Sequence, residues 1–326
     1  MKKVLSLILA LVMALTLVAC GSQEPAGDDQ APVENPWPEK TIEIIIPYSP
    51  GGDTDTYARE IAAQLEDILG VSIVCTNVTG SSGSIAADQV RNSNPDGYTV
   101  LWTHNTLLCG YAFQQTDYAH EAFEVANIMA YNGSYYFFAN SERFKTWEEF
   151  AAYCEANPGK ANIVVPVGGF AHLVAMQTIA QTGIDVNIVD ADSAATCCVE
   201  LFADRAQACP GTLQSMGDYY TGGSFSALGG YAPDRLACAP DTPSFKELGY
   251  DLAAYMNFGF FFPKGTDEAV IDIFNAACEQ VVQSDAYGEL LKKYNAEPVF
   301  YAKDEAVAEW DKMLDSFLAV LDQLIG

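Results

Sequence analysis

Ile42-Glu43-Ile44-Ile45-Ile46 runs through Pro47-Tyr48-Ser49-Pro50-Gly51-Gly52 straight into Asp53-Thr54-Asp55-Thr56-Tyr57-Ala58-Arg59: a strand-like segment, a glycine-rich turn and the opening of a helix. A short run of mainly β-branched residues suits a strand covered on both faces, the position of a strand in a parallel sheet. Two consecutive glycines let the backbone take φ values closed to other residues and approach a ligand. The helix beyond them points unpaired N–H groups back into the turn. Such a turn binds anions without a lysine or a cofactor. It also serves as a plain tight connection, and the string alone leaves both readings open. Neither G-x-G-x-x-G nor a loop ending in Gly-Lys-Ser/Thr is present, so the expected guest is a carboxylate rather than a phosphate.

The alternation continues. Ala58, Ile61, Ala62, Leu65, Ile68 and Leu69 fall at helical spacing, with Asp53 or Thr54 as the expected N-cap and Gly70 as the stop. A strand is predicted over 72–76, then a second glycine-rich turn, Asn77 to Ser84, and a helix to about Asn92. Pro95-Asp96-Gly97 turns the chain into a strand over 98–102, followed by Thr103-His104-Asn105. Loops after parallel strands share one sheet edge, so these three polar turns are expected to converge. A second series begins near Tyr135. Thr146-Trp147-Glu148-Glu149 is a capping box, a strand is predicted over 162–165, and Val167-Gly168-Gly169-Phe170-Ala171-His172 repeats the strand, Gly-Gly, helix arrangement up to Gly183. A strand over 186–189, a helix over 193–203 and a strand over 206–209 follow, then Pro210-Gly211-Thr212 before another helix. After a strand over 257–262 the remainder reads as helical, about 267–284, 285–295 and 304–325, packing back on the first half.

The N-terminus has the pattern of an export signal: Lys2 and Lys3, then an apolar run from Val4 to Val18, then Leu17-Val18-Ala19-Cys20-Gly21. Small residues before that cysteine resemble a bacterial lipobox, which implies a signal peptide over 1–19, cleavage before Cys20 and lipid on it. Residues 20–36 are too polar and small to bury a core and read as a flexible tether, so the folded part is expected to start near Trp37. No later stretch reaches the roughly 18 apolar residues of a membrane span, which leaves the lipid as the only anchor. The formal charge is −27, with 16 basic and 43 acidic residues. A chain so acidic repels nucleic acid and anionic lipid. Salt screens the field over about 8 Å, so a small anion still binds where local amide dipoles dominate.

Apart from Cys20, eight cysteines show no C-x-x-C, and the three histidines (His104, His120, His172) are scattered. No zinc spacing results, and no metal or cofactor is expected. Cysteines in strings such as Ile73-Val74-Cys75 and Ala276-Ala277-Cys278 read as small buried hydrophobes.

Several strings taken together resemble the solute-binding components of tripartite tricarboxylate transporters: Trp37-Pro38, the Pro-Gly-Gly-x-x-Asp-x-x-Ala-Arg pattern from Pro50 to Arg59, the turn Gly80 to Ser84, and Pro95-Asp96-Gly97-Tyr98-Thr99. Asn157-Pro158-Gly159-Lys160, Pro263 to Thr266 and Ala296-Glu297-Pro298 add to it, and the resemblance spans roughly 37 to 320. It implies an α/β, two-domain, type II Venus-flytrap binding protein with a mainly parallel sheet in each domain. Domain 1 would comprise 37–133 and 258–326, and domain 2 would comprise 134–257. The protein would be a monomer without catalytic residues, holding a carboxylate-bearing solute in its cleft and delivering it to the transporter's membrane subunits. The ligand-facing positions implied are Ser49, Gly51, Gly52, Asp55, Gly80, Ser81, Ser82, Gly83, Ser84, Thr103, Gly168, Gly169, Ala171 and Thr212. Asp55 would orient a water or a ligand donor, or else complement the helix N-terminus. His172 matches a common histidine of the family and is expected to pack or cap. Arg59 and Lys160 are expected on solvated surface, and Gly52 and Gly169 where a Cβ is not tolerated. Departures from the family occur at Val189-Asp190-Ala191-Asp192-Ser193 and around Cys209-Pro210. An acidic pair there would disfavour a ligand carboxylate on that side and favour a hydroxyl, amine or amide. Two other readings stay open: a ligand-sensing lipoprotein for a signalling receptor, and an exported hydrolase-type enzyme. No G-x-S-x-G, H-E-x-x-H or P-loop supports the latter.

Overall fold

The computed structural model describes residues 37–325; the expected signal segment, lipidation of Cys20 and tether fall outside the described residues. From Trp37, 7% exposed and packed on Phe274, the chain enters β1 (Ile42–Ile46). Helix α1 (Asp53–Leu69), β2 (Ile73–Asn77), α2 (Ser84–Arg91), β3 (Thr99–His104) and α3 (Thr106–Ala112) follow, then β4 (Phe123–Asn132). After crossing over, the chain builds β5 (Tyr135–Asn140), α4 (Trp147–Ala156), β6 (Ala161–Val165) and α5 (Phe170–Thr182). It goes on through β7 (Val186–Asp190), α6 (Ala194–Phe202), β8 (Ala208–Thr212), α7 (Leu213–Thr221) and β9 (Phe225–Gly230). It then returns through β10 (Met256–Pro263), α8 (Glu268–Val282), α9 (Asp285–Lys293), β11 (Glu297–Ala302) and α10 (Asp304–Ile325).

Two sheets result, ordered β11-β4-β10-β3-β1-β2 and β7-β6-β8-β5-β9. The architecture is the expected two-domain α/β fold, but both sheets are mixed rather than mainly parallel. Strands β1, β2 and β3 run parallel, as do β6, β7 and β8. The return strand β10 pairs antiparallel with β3 and β4, β11 with β4, and β5 with β8 and β9. An antiparallel strand appears in each sheet because the chain crosses between them twice and re-enters from the opposite end.

Local signals act where their chemistry allows. Gly70 and Gly183 close α1 and α5 in the left-handed conformation. Thr146 caps α4 by accepting from the Glu149 N–H, while Glu149 reaches back to the N–H of Lys145. Two details differ from expectation. Gly52, not Asp53 or Thr54, is the N-cap of α1, with no side-chain bond. Strand β8 runs on through 210–212, past the end expected at 209; β6 pairs with β8 only at Ile163 and Ala208, so Pro210 interrupts no ladder bond on that side.

The crossings are fastened by asparagines. Asn132 Oδ1 accepts from both the N–H (2.8 Å) and the hydroxyl (2.6 Å) of Ser134. Asn105, fully buried after β3, accepts from the Asn257 N–H at 2.9 Å and donates to the Tyr255 carbonyl at 2.6 Å. Helices α8 and α9 pack on the first lobe as expected. Helix α10 touches both lobes, through Trp310 against Phe261 and Phe317 against Phe170. No helix among the described residues is long and apolar enough to cross a membrane.

Candidate functional site

The turns after β1, β2, β3 and β6 come together between the lobes. In the first, Gly51 has φ +89° and its N–H donates to Asp55 Oδ2 at 2.9 Å. Asp55 is 3% exposed, and its other oxygen accepts from Arg59 Nε (2.9 Å) and Asn77 Nδ2 (2.8 Å). Asn77 also donates to the Tyr48 carbonyl and accepts from Arg59. Burial works to raise the Asp55 pKa, but Arg59, the Gly51 amide and Asn77 outweigh it and hold it below the usual range. The carboxylate is thus engaged within its own lobe, where it ties the first turn to the end of β2. Arg59, expected on free surface, is the cation of this cluster although half of its side chain is exposed.

The second turn carries four successive positive φ values: Gly80 127°, Ser81 45°, Ser82 51° and Gly83 94°. Two non-glycine residues in this region cost about 1–2 kcal/mol each, and such strain concentrates at binding sites. Ser82 Oγ donates across the cleft to the Val167 carbonyl at 3.3 Å. Beneath this turn lies a cavity of about 10 Å³, lined by Ser81 to Ser84, Thr103 and Thr106 among others, room for about one water.

The third turn is deep. Thr103, His104, Asn105 and Thr106 are all buried. The His104 ring stacks on Tyr48 with centroids 4.7 Å apart, and burial depresses its pKa to about 3, so it is neutral. The Tyr48 hydroxyl is enclosed beside the hydroxyls of Thr103 and Thr106. Burial raises its pKa.

In the second lobe Gly168 has φ +82° and its N–H donates to His172 Nδ1 at 3.1 Å. A Cβ on Gly168 would collide with the side chain of Gln115 from the first lobe. Gly169 is the extended N-cap of α5, and its N–H is taken by the Pro166 carbonyl. The first-turn amides of Phe170 and Ala171 have no acceptor among the described residues, and that turn contains no acid. His172 stacks on Phe113 of the first lobe at 4.7 Å; burial lowers its pKa against the opposing pull of Asp190. Asp190 itself accepts the Val167 N–H at 3.0 Å, and Asp192 bonds the hydroxyls of Ser193 and Thr196.

Thirteen of the fourteen expected ligand positions lie on these four turns; Thr212, at the end of β8, caps α7 through the Ser215 N–H. Ser49, Gly51 and Gly52 are open to solvent, whereas Thr103, Gly168 and Gly169 are covered. Residues passed over in the sequence also belong here: Tyr48, Asp53, Thr106, Phe113 and Gln115. For Tyr48 and Asp53 the signal was their place inside the Pro-Gly-Gly string. No signal marked Phe113 or Gln115, which meet the second lobe only through the fold. Among the described residues no group of three or more histidine, cysteine, aspartate or glutamate side chains could hold a metal ion.

Residues 57–311 match the sequence model of the tripartite tricarboxylate transporter family receptor. The chain belongs to that family. It is 26% identical over 300 residues to protein BugT of Bordetella pertussis, covering 90% of each chain. It is also 26% identical over 310 residues to a UPF0065 protein of Cupriavidus necator, covering 93% of this chain and 90% of the other. In structure it resembles the periplasmic binding protein BugD, with a TM-score of 0.80 at 21% identity over 88% of this chain and 98% of that one. It also resembles MatC of Rhodopseudomonas palustris with bound malate, with a TM-score of 0.79 at 22% identity over 87% and 99%. Both likenesses establish the two-domain binding-protein fold, and this family receptor is a solute-binding protein in kind.

Proposed function

We propose that the chain is an extracytoplasmic, lipid-anchored receptor that captures a small carboxylate-bearing organic molecule between its lobes and hands it to the membrane subunits of a tripartite transporter. The lobes, 37–133 with 258–326 and 134–257, would close about the crossings pinned by Asn105 and Asn132. The observation that carries this reading is the meeting of two Gly-Gly helix starts and a strained serine turn in one cleft, with unpaired amides at the start of α5. Amides and hydroxyls in such a place suit an oxyanion, and no nucleophile paired with a base accompanies them. A structural neighbour of R. palustris was solved with adipate, and another with malate, which fits the same ligand chemistry. The cavity of about 10 Å³ is far smaller than such a molecule, so binding would require the lobes to part.

The test is mass spectrometry of the small molecules carried through native purification, followed by calorimetric titration and recovery of the titrant. A carboxylate recovered unaltered is the expected result; a converted product would favour an enzyme. The anchor is tested separately: Cys20→Ala should release the protein from membranes or block its processing, and unchanged membrane retention would remove the lipid from the proposal.

A further inference from the structure

Three contacts from the first lobe land on residues 167–172 of the second: Ser82 Oγ on the Val167 carbonyl, Gln115 over Gly168, and Phe113 on His172. The last is a contact between two rings, with centroids 4.7 Å apart and planes 13° from parallel. Each ring is set by its own backbone. Helix α3 ends in a Schellman turn: the Gln114 N–H donates to the Tyr111 carbonyl at 2.9 Å, the Gln115 N–H donates to the Gly110 carbonyl at 2.8 Å, and Gln114 is left-handed at φ +57°. That turn fixes Phe113 against the second lobe. His172 is fixed by the Gly168 N–H, which donates to its Nδ1 at 3.1 Å. The bond requires a neutral ring with its proton on Nε2, because an imidazolium has two N–H groups and no acceptor. Around the ring, α5 carries no other titratable side chain, the α3 turn presents Phe113 to Gln115, the serine turn presents hydroxyls and α10 presents Phe317. The charge that faces it is Asp190 at the end of β7, whose carboxylate accepts the Val167 N–H.

We infer that His172 is an acid-sensitive latch between the lobes: the neutral ring accepts the Gly168 N–H and lies flat on Phe113, and protonation unhooks the Gly168 turn and parts the lobes. A protonated ring sets a second donor against the Gly168 N–H, and turning the ring over sets a carbon there, so the turn loses its fastening either way. Because the Ser82 and Gln115 contacts rest on the same turn, freeing it loosens all three contacts at once. Opening also returns water to an imidazolium that the cover of Phe113 keeps dry. The electrostatics of the closed state act in the same sense. Burial holds the His172 pKa below its usual value of about 6.5, against the pull of Asp190, so closure is fully supported above that pH and is weakened as pH falls through the folded value. Such a latch would open the cleft to exchange of its solute under acid, whichever solute that is.

The experiment follows lobe separation and ring titration together in the full chain, dialysed free of carried solute, from pH 7.5 to 5.0. Small-angle X-ray scattering gives the radius of gyration, and nitrogen-15 NMR of the three histidine rings, assigned with His172→Gln, gives the His172 tautomer and midpoint. Circular dichroism at each pH confirms folding. At pH 7.5 His172 should carry its proton on Nε2. As pH falls the radius should rise with the midpoint of the His172 ring, and the Gly168 amide signal should move with both. His172→Gln keeps an acceptor without titrating, and its radius should stay flat. Phe113→Ala removes the cover, and the His172 midpoint should climb toward about 6.5. A midpoint that falls in Phe113→Ala would show Phe113 stabilising the imidazolium through its ring face, and would overturn the latch. A radius that stays constant while His172 titrates, a radius that rises equally in His172→Gln, or a ring that does not titrate above pH 5.0 would overturn it too. Each of these failures leaves the receptor reading standing, because that reading is decided by the recovered carboxylate.

Discussion

The turn before α1 and the turn before α5 share a backbone and differ in charge. In each, the first glycine is left-handed and its N–H donates to the side chain four residues on, while the second glycine is extended and serves as the N-cap. The acceptor is a carboxylate held by an arginine in the first lobe, Asp55, and an imidazole stacked on the opposite lobe in the second, His172. The first turn is fastened entirely within its own lobe; the second is fastened partly by Phe113 and Gln115, across the cleft. One geometry therefore serves two ends, a fixed wall and a moving one. The amides of Gly51 and Gly168 are spent on this fastening, so in the second turn the donors left for an anion are the amides of Phe170 and Ala171, two and three residues further on.

The comparison breaks most visibly at the left-handed glycines. Ala at either position incurs about 1–2 kcal/mol of backbone strain. At Gly51 a Cβ meets nothing within 4 Å, whereas at Gly168 it strikes Gln115. Gly168→Ala should thus push the exposed Gln115 amide aside and weaken ligand binding more than Gly51→Ala does, by about threefold, or roughly 0.7 kcal/mol. Gly51→Ala should lower the unfolding midpoint with a smaller change in Kd. Titration of both, with Gln115→Ala added to the Gly168 variant to relieve the collision, checks this. Equal losses of affinity that Gln115→Ala does not rescue would mean that the second turn is not seated across the cleft.

Next in size is Arg59→Ala. It leaves Asp55 buried with two neutral donors and no cation, which should cost about 1–2 kcal/mol; the half-exposed, screened position of Arg59 keeps this below the value for a fully buried pair. The folded-state pKa of Asp55 lies below its unfolded value of about 3.9, so its contribution is full above that pH and is lost as pH falls through the folded value. Denaturant unfolding should show the gap between the natural chain and the variant undiminished from pH 7 to about 5 and shrinking below about 4. A variant as stable as the natural chain at pH 7 would mean that Arg59, exposed as its sequence position suggests, adds nothing through its pair with Asp55.

Arg59 shows where a sequence stops being legible: its exposure follows from its position, its bonding to β2 does not. Strand β1 was readable to the residue because Ile42 to Ile46 is short, β-branched and covered on both faces. Helix ends at Gly70 and Gly183 were readable because a left-handed residue is a local event. The pair of Arg59 with Asp55 is a local contact four residues apart on α1, but the bond to Asn77, eighteen residues away at the end of β2, has no local pattern that encodes it. Helix α3 went unread because six of its seven residues are buried, which erases amphipathic spacing. Strands β4 and β11 were missed for related reasons: β4 is almost wholly buried and does not alternate, and β11 opens with Glu297-Pro298, which suggests a loop until its antiparallel partner is in place. For the site, the glycine and serine turns were visible, but the Gly-Gly strings could not say which glycine bears the unusual φ or whose side chain takes its N–H.

A smaller effect separates the two acceptors. Burial holds the folded-state pKa of His172 below its unfolded value of about 6.5, so its contribution is full above that pH and is lost as pH falls toward the folded value. His172→Gln keeps an acceptor for the Gly168 N–H without titrating, and should change stability at pH 7.5 by on the order of 1 kcal/mol or less. Between pH 7.5 and 5.5 the natural chain should lose more of its unfolding midpoint than the variant, since His104 and His120 are common to both. Identical slopes would mean that protonation of His172 is not linked to folding.

The smallest effect is expected at the glycine that the sequence marked as indispensable. Gly52 has φ −74° and ψ 173°, a conformation open to any residue, and a Cβ there would touch only the Ser49 carbonyl at 3.7 Å. Gly52→Ala should therefore change stability by no more than about 0.5 kcal/mol, or raise it slightly by narrowing the unfolded ensemble. Gly169 is also extended, but its Cβ would press the Pro166 carbonyl at 3.2 Å, so the same change there should cost more. If the first turn is a wall fastened within its lobe, Gly52→Ala should also leave Kd within about twofold, or roughly 0.4 kcal/mol. A folded Gly52→Ala protein that binds tenfold more weakly would show the ligand in contact with that backbone. The two turns would then act as matching clamps, and the asymmetry drawn here would be confined to their side chains.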